Sequence, residues 1–523
     1  MRMGMLVMCL LLLLLLAVLA PPSGAQESKG ITAGACSVAI TPTKAVWMAG
    51  GEHGQSKGVH DDIFCRAVVL KSGKETLAIV TVDLIGFMSA DLQEVRKNLK
   101  SVPPDRLLVA ATHDHSAPDP IGLWGPEGQS GVDKEYMASV RQKIGDCVET
   151  AARNLKPARI KFASGELKGI AKNWREEQGI DETLAVMQVE AADGSATIAT
   201  LVNYACHPEV MNVGEITADW PGFLYKRLES KLGGVAVFVN GALGAMVSPA
   251  APTAHDAAVN NWPIAETMGN TMADRAVELL QGATPVAEAA IRFKSAPLLT
   301  PMDNQDFLKA IQAGILPNLV SEGNVHTEVA VATIGPAQIV TIPGEAQPKI
   351  NFTIKDSMTG QPKFVFGICQ DELGYILVPE DYGTENYKYE TSMSIGKGIA
   401  PALIDALKTL LLEVKPEVAS VKAWIEALPK TLKPDRLGGL SAVYQFNVSG
   451  EGGGNWIVTV KDKTITVQEG QAQKPDCTIG VSAADWLAVL NRKMDGLQAY
   501  YAGKITVEGN LDLAQSLGEI LLQ

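Results

Sequence analysis

The sequence predicts an α/β fold with mixed sheets over residues 26–410, its functional site at the carboxyl ends of strands, followed by a small α+β domain over residues 411–523. Two observations carry the larger part. Short β-rich apolar runs recur and each closes on a polar cluster, which is the pattern of a buried strand delivering a functional loop. Amphipathic stretches of helical length lie between them, as alternating layers require. A third observation marks the smaller part: after Pro416 the runs give way to a helical stretch, closely spaced alternating strands and further helical stretches.

The first element concerns the compartment. Arg2, the Leu-rich run Leu6–Ala20, the Pro21-Pro22 break and the small residues Ser23-Gly24-Ala25 read as a cleavable signal peptide over residues 1–25. The mature chain is then secreted or periplasmic. The run is short against the about 20 apolar residues of a membrane span, and no later stretch reaches that length, so no integral span is expected after cleavage.

The strand-to-cluster units follow in order. Thr76–Asp83 (TLAIVTVD) is the first. Arg106–Ala111 runs into Thr112-His113-Asp114-His115-Ser116, and Ile198–Ala205 into Cys206-His207-Pro208-Glu209. Val235–Val239 runs into Asn240-Gly241-Ala242-Leu243-Gly244, Gln338–Ile342 into Pro343-Gly344-Glu345, and Lys363–Ile368 into Gln370-Asp371-Glu372-Leu373-Gly374-Tyr375. Ala90–Leu99, Lys134–Leu155 and Thr267–Leu280 read as the intervening helices. In open α/β sheets ligands bind beyond the carboxyl ends of strands, where all these clusters fall. In the smaller part, Val421–Leu428 reads as a helix and Ser441–Gln468 as two or three strands around Gly452-Gly453-Gly454. Ala483–Arg492 and Leu511–Leu522 read as helices.

Composition bounds the partners. Hydrophobic residues make up 46% and charged residues 20%, as in an ordinary globular chain. A formal net charge of −13 argues against nucleic acid, which needs a basic face. Beyond the leader the cysteines are Cys36, Cys65, Cys147, Cys206, Cys369 and Cys477, scattered and without C-x-x-C. A zinc knuckle is excluded, and outside the cytoplasm one or two disulfides are expected whose partners the spacing leaves open. Asn351-Phe-Thr and Asn447-Val-Ser are glycosylation sequons if the host is eukaryotic.

The chain has seven histidines, and two form His113-x-His115 after an apolar run. On a strand extension i and i+2 point the same way, so both imidazoles can face one metal or one substrate. His207 ends another strand and supplies a third nitrogen, which zinc accepts readily. Taken singly, a packed core histidine is the plainer reading of His207, a solvated turn charge that of Glu345, and an ordinary tyrosine that of Tyr375. A metallo-β-lactamase pattern fails, because Ser116-Ala117-Pro118 follows where an Asp-His pair is needed. A TIM-barrel amidohydrolase stays open through His207 and His255. No G-x-S-x-G is present for a serine hydrolase.

The order of the clusters resembles a family. Gly34-Ala35-Cys36-Ser37-Val38-Ala39-Ile40-Thr41-Pro42, Met48-Ala49-Gly50-Gly51 and Gly58-Val59-His60-Asp61-Asp62 look like the opening of the neutral, non-lysosomal ceramidases. Ala111–Pro118 is similar to that family's A-T-H-x-H-S-x-P. Asn173-Trp174-Arg175, Asn203–His207, Ala218-Asp219-Trp220-Pro221-Gly222, Pro343-Gly344-Glu345, Gly374-Tyr375 and Tyr389-Glu390 follow in the family's order. The resemblance implies a single zinc held by His113, His207, Glu345 and Tyr375, with His115, Arg175 and Tyr389 around the substrate. It implies hydrolysis of the N-acyl bond of ceramide or a related lipid: zinc polarises the amide and acidifies a bound water, His115 moves the proton, and Arg175 or a tyrosine hydroxyl stabilises the oxyanion. The family's G-D-V-S-P loop is matched here by Gly244-Ala245-Met246-Val247-Ser248-Pro249, without the Asp. That departure keeps a different amide or ester substrate open on the same scaffold.

The C-terminal part resembles the sterol carrier protein 2 (SCP2) domain. Asn455–Val460, Asp476-Cys477-Thr478-Ile479, Ser482-Ala483-Ala484-Asp485-Trp486 and Gly503–Gly509 carry the likeness. It implies an apolar tunnel for acyl chains or sterols, lined by Trp486, Leu487, Met494 and Leu497, and peripheral membrane contact is compatible with such a ligand. A non-catalytic lipid carrier is therefore the third reading, against which stand the chemically competent ligands of the larger domain.

Overall fold

The computed structural model describes residues 30–522, apart from 52, 177–178, 212–213, 246, 251–260, 318–319, 432–436 and 438. Residues 1–25, expected to be a signal peptide, and His255 lie outside the described residues. The first half of the chain contributes β1 (Ile31–Ala39), β2 (Phe64–Ser72), β3 (Glu75–Val82), β4 (Leu107–Ala111), β5 (Lys156–Glu166), β6 (Ala171–Asn173), β7 (Thr183–Ala191), β8 (Thr197–Tyr204), β9 (Val235–Asn240) and β10 (Val247–Pro249). Eight of these form one sheet in the order β4-β3-β2-β1-β5-β7-β8-β9, and β6 pairs with β10. The edge pairs β3/β4 and β8/β9 are parallel and the interior pairs antiparallel.

A second sheet follows from β11 (Ile291–Pro301), β12 (Val320–Ser321), β13 (Asn324–Ile334), β14 (Ala337–Thr341) and β16 (Lys363–Phe366), ordered β11-β13-β14-β16 with β12 on β13. Two short strands, β15 (Glu345–Ala346) and β17 (Tyr375–Ile376), pair in parallel beyond it.

Side-chain alternation explains how the sheets stack. In β2, Cys65, Ala67 and Val69 pack with the helices Ser89–Lys97, Lys134–Arg153, Asp219–Leu232 and Trp262–Gln281. Their neighbours Val68 and Leu70 pack instead with Ala330, Ala332, Phe364 and Phe366 of the second sheet. The far face of that sheet is covered by the helices Pro348–Ser357 and Ile399–Glu413. The result is four layers, helices outside and two sheets inside, so the mixed sheets read from the sequence are present. The closed parallel barrel left open by His-x-His is not formed, because most neighbouring strands run antiparallel.

Local chemistry supports these elements. The helix Lys134–Arg153 begins where the Asp133 side chain accepts from the Glu135 and Tyr136 backbone N–H groups. It buries Tyr136, Met137, Val140, Ile144, Cys147, Val148 and Ala151 on one stripe. Cys147 is joined to Cys36 of β1, a pairing across 111 residues. Cys65, Cys206, Cys369 and Cys477 are buried thiols. Asn351, the first sequon position, is 1% exposed and donates to Asp181, so a glycan has no access to it in this fold.

The C-terminal part has its own core, formed by residues between Val421 and Ile520. Strands β18 (Ala442–Ser449), β19 (Gly454–Lys461), β20 (Thr464–Glu469), β21 (Cys477–Ser482) and β22 (Ile505–Gly509) make a sheet ordered β20-β19-β18-β21-β22. Helices Val421–Thr431, Ala483–Leu490, Gly496–Tyr501 and Leu511–Leu522 accompany it. Trp486 is buried, edge-on to Trp424 and Phe446 at 5.7 Å from each. Leu487 and Met494 pack half-buried against that core. Leu497 is 62% exposed and lines no interior here, because its turn of helix points it outward.

Candidate active site

The polar ends of β4 and β8 and the short strands β15 and β17 converge on one place. His113 follows β4 by two residues but does not continue the strand. Its backbone takes a left-handed conformation, φ +68°, rare for a side-chain-bearing residue. The His113 and Asp114 N–H groups both donate to the Leu84 carbonyl, at 3.0 and 3.1 Å, which holds the turn in place. His113 and His115 therefore converge through a tight turn and not through strand alternation, with ring centroids 4.9 Å apart. His207 stands 4.8 Å from His113 and 5.5 Å from His115, ring to ring. One nitrogen from each of the three lies within 4.8 Å of the others.

Each ring is oriented by a backbone carbonyl. Nδ1 of His113 bonds the Ile85 carbonyl at 2.7 Å, that of His207 the Val247 carbonyl at 2.9 Å, and that of His115 the Gly50 carbonyl at 3.2 Å. A carbonyl only accepts, so Nδ1 carries the proton and Nε2 is the atom turned toward the site, in His207 as a hydrogen-bond partner of Glu345. That is how metal-binding histidines are usually set. The Glu345 Oε2 atom lies 3.1 Å from Nε2 of His207 and 3.6 Å from Nε2 of His113. Tyr375 sits opposite Glu345 in the β15/β17 register, and its hydroxyl hydrogen-bonds the Glu345 carboxyl. All four groups are buried. Two imidazoles, a carboxylate and a phenol form a donor set that suits zinc.

Burial sets the electrostatics. It holds His113 well below the ordinary imidazole range, helped by repulsion from His207 and His115. Burial also pushes the Glu345 carboxyl up, against the hydrogen bonds from His207 and Tyr375. The Tyr375 phenol is raised by burial and then by the Glu345 charge.

A cavity of about 110 Å³ opens onto these groups. Its polar wall comprises His113, His115, Glu345, Glu372, Tyr375 and Tyr389, and its apolar wall includes Ile85, Met88, Ile121, Leu123, Trp124 and Phe307. Tyr389 is 51% exposed with its ring 5.9 Å from that of Tyr375. Arg175 does not line the cavity. Its Nε donates to Glu390, a fully buried carboxylate, at 2.6 Å. Arg175 is thus held in an ion pair with the residue next in sequence to Tyr389.

Residues with no assigned role in the sequence complete the site. Asn240, at the end of β9, donates to the Thr112 and Cys206 carbonyls, both at 2.9 Å, and clamps the two histidine-bearing segments together. The Gly244 loop lies against β15: a Cβ at Gly244 would come within 2.0 Å of the Glu345 carbonyl oxygen. The Asp-less loop is therefore a backbone support for His207 and Glu345. Glu372 was part of a polar cluster in the sequence, yet it is 6% exposed and raised well above the usual carboxylate range by burial, then by Glu345.

The four-layer arrangement has solved counterparts. The neutral ceramidase from Pseudomonas aeruginosa superimposes with a TM-score of 0.61 at 18% identity, over 82% of this chain and 84% of that one. A ceramidase complexed with C2 gives 0.58 at 17% identity, over 86% and 90%. The chain has the neutral ceramidase fold. Residues 421–522 match the SCP-2 sterol transfer family, which accounts for the fused SCP2-like domain. The chain is 34% identical to human sterol carrier protein 2 over 87 residues, 16% of each protein. It is 28% identical to hydroxysteroid dehydrogenase-like protein 2 of Mus musculus over 114 residues, 22% of this chain and 23% of that protein. The chain thus spans no more than about a quarter of either relative. No helix among the described residues is long and apolar enough to cross a membrane.

Proposed function

We propose that the ceramidase-fold part is a zinc-dependent hydrolase that cleaves the N-acyl bond of ceramide or a related lipid outside the cytoplasm. In this reading residues 1–25 are the leader, 26–410 the hydrolase and 411–523 a lipid-binding domain that touches membranes only peripherally. The observation that carries it is the convergence of His113, His207, Glu345 and Tyr375, of which His113, Glu345 and Tyr375 line a cavity with a largely apolar wall.

One zinc per chain fits these four donors. When bound, it supplies a Lewis acid for the amide carbonyl and lowers the pKa of a water. The chain's own residues do the rest. His115, pinned through Nδ1 to the Gly50 carbonyl, accepts a proton at Nε2 and returns it to the departing nitrogen. The Tyr389 hydroxyl, on the cavity wall near Tyr375, donates to the oxygen that gains charge. Arg175 acts as a positioning residue through Glu390, next in sequence to Tyr389. The apolar wall holds the acyl chain and excludes water.

A different amide or ester on the same scaffold is the second reading, favoured by the Gly244–Pro249 loop, which lacks the family's Asp. The test is release of free fatty acid from a short-chain ceramide by the purified chain, before and after chelation and zinc restoration. Zinc-restorable cleavage is expected. No cleavage with about one zinc bound per chain would reject ceramide and move the search to other acyl bonds, and no zinc binding would reject the metal assignment.

A further inference from the structure

A second cavity, of about 370 Å³, lies where the two parts of the chain meet. It is at the opposite end of β14 from the active site. Arg292 in its wall pairs with Thr333, next to the Gly335 turn from which β14 departs, whereas Glu345 follows the other end of that strand. The two sides of the cavity are fixed to each other. The buried Glu417 donates its N–H to the Gly335 carbonyl at 2.7 Å and accepts from the Ala290 N–H at 3.2 Å, which ties the connecting segment to the second sheet. One residue on, the Asn491 side chain brackets Val418, accepting from its N–H at 2.7 Å and donating to its carbonyl at 3.0 Å. Junctions of this kind are common places for small-molecule sites.

The wall has two characters. Leu412, Pro416, Trp424 and Leu490 form its apolar part. Its charged part is mainly cationic: Arg292, Lys415 and Arg492 are set against one carboxylate, Glu413, which is already ion-paired with Lys294. Arg292 spends an Nη1 hydrogen on the Lys415 carbonyl at 3.0 Å. Neither Arg292 nor Lys415 has a carboxylate partner among the described residues. In a chain of net charge −13, these cations share a concave wall with apolar side chains where an open face would leave them to water.

We infer that this junction binds a single-chain amphiphile with a carboxylate head, the head on Arg292 and Lys415 and the chain along Trp424 and Leu490. The head follows from the donors. A guanidinium meets a carboxylate with two parallel N–H···O bonds, and an ammonium adds a third. The nearby Glu413 disfavours a phosphate monoester, which carries close to two negative charges. A neutral lipid leaves both cations unmatched. Arg292 and Lys415 lie outside residues 421–522, so this site is separate from the interior of the SCP2-like domain. It holds whatever bond the hydrolase cleaves.

The test titrates the full chain with decanoate, decanol and decyl phosphate, following binding by calorimetry. Decanoate should bind one site per chain about ten- to a hundredfold more tightly than decanol, the value of charge-assisted hydrogen bonds to the head. Arg292→Gln and Lys415→Gln should each weaken that site about tenfold and leave decanol binding unchanged. Decanoate affinity unaltered in both variants would overturn the proposal, because uptake at a zinc ion or inside the SCP2-like domain survives these substitutions. Equal losses for decanoate and decanol would overturn it too. A preference of about tenfold or more for decyl phosphate would reject the carboxylate head. Should Arg292→Gln loosen the connecting segment, Lys415→Gln decides alone, since it keeps the backbone carbonyl that Arg292 bonds. No readout involves turnover, so failure of the hydrolase reading leaves this outcome intact.

Discussion

Replacing Gly50 by Ala perturbs His115 without altering a single donor group. Gly50 has φ +88°, and a Cβ there would lie 2.5 Å from Cβ and 2.6 Å from Cα of His115. Carbon atoms rest at about 3.5–4.0 Å, so the contact must open by roughly an ångström. The left-handed backbone itself costs an alanine about 1–2 kcal/mol. Opening also weakens the 3.2 Å bond from His115 Nδ1 to the Gly50 carbonyl, which orients the ring. A displacement of this size at a reacting group costs about a hundredfold in rate. Gly50→Ala should therefore lower kcat about a hundredfold. Metal analysis after dialysis should still find zinc, because His113 and His207 keep their own anchors on Ile85 and Val247. Zinc lost in parallel with activity would refute the division of labour and make His115 a ligand, a definite alternative given the three clustered imidazole nitrogens. If neither changed, His115 would have no role in the chemistry.

Arg175→Ala leaves the buried Glu390 carboxylate without its counter-charge and should cost about 3 kcal/mol, since removing one partner of a buried pair strands the other. Adding Glu390→Gln should restore most of the melting temperature, and a double variant as unstable as the sum of the two would contradict the pairing. Burial raises Asp219 to about 7, and Asp83 and Asp371 to about 6 each. The folded chain then holds protons that the unfolded chain has released, so these groups lose stability as pH rises from the unfolded carboxylate range toward 7. The slope is about 1.4 kcal/mol per pH unit for each such proton. Denaturation of the chelated protein between about pH 5 and 7 should show a shallower slope in Asp219→Asn. An unaltered slope would mean that Asp219 does not titrate there.

The legible part of the fold was the part written locally. The run Leu107–Ala111 is apolar at every position, and β4 is indeed buried on both faces. The His113-Asp114-His115 cluster at its end drew attention to that strand end, whereas Glu345 and Tyr375 stood out only through the order of clusters that resembles the ceramidases. What covers each face was not written there. Cys65, Ala67 and Val69 meet helices while Val68 and Leu70 meet another sheet, and apolar residues alone do not distinguish the two. The left-handed turn at His113 left no mark, for histidine carries no signal for it as glycine would. Glu372 stands in the polar cluster that closes the Lys363–Ile368 run, and nothing local sets it apart from its neighbours there. The Cys36–Cys147 bridge spans 111 residues and could not be chosen from spacing.

The donors at the site come from positions 113 to 375, and they meet because the two sheets are stitched together at their carboxyl ends. The Ala111 N–H donates to the Ile368 carbonyl at 3.0 Å, and the Gly367 N–H to the Asn240 carbonyl at 2.9 Å. Asn203 reaches from β8 to the Val365 carbonyl at 2.9 Å and accepts from its N–H at 3.1 Å. These bonds carry no chemistry of their own, yet they set how far His113 and His207 on one sheet lie from Glu345 and Tyr375 on strands beyond the other. An ion held by all four donors binds only the chain in which this seam is closed, so metal binding and closure of the seam are thermodynamically linked. Zinc should therefore stabilise residues far from the coordination sphere, along the Asn203–Val365 and Asn240–Gly367 contacts. The same linkage gives the Asn240 clamp its place: it draws the Thr112 and Cys206 carbonyls together before any metal arrives, so less of the binding free energy is spent on ordering the histidines.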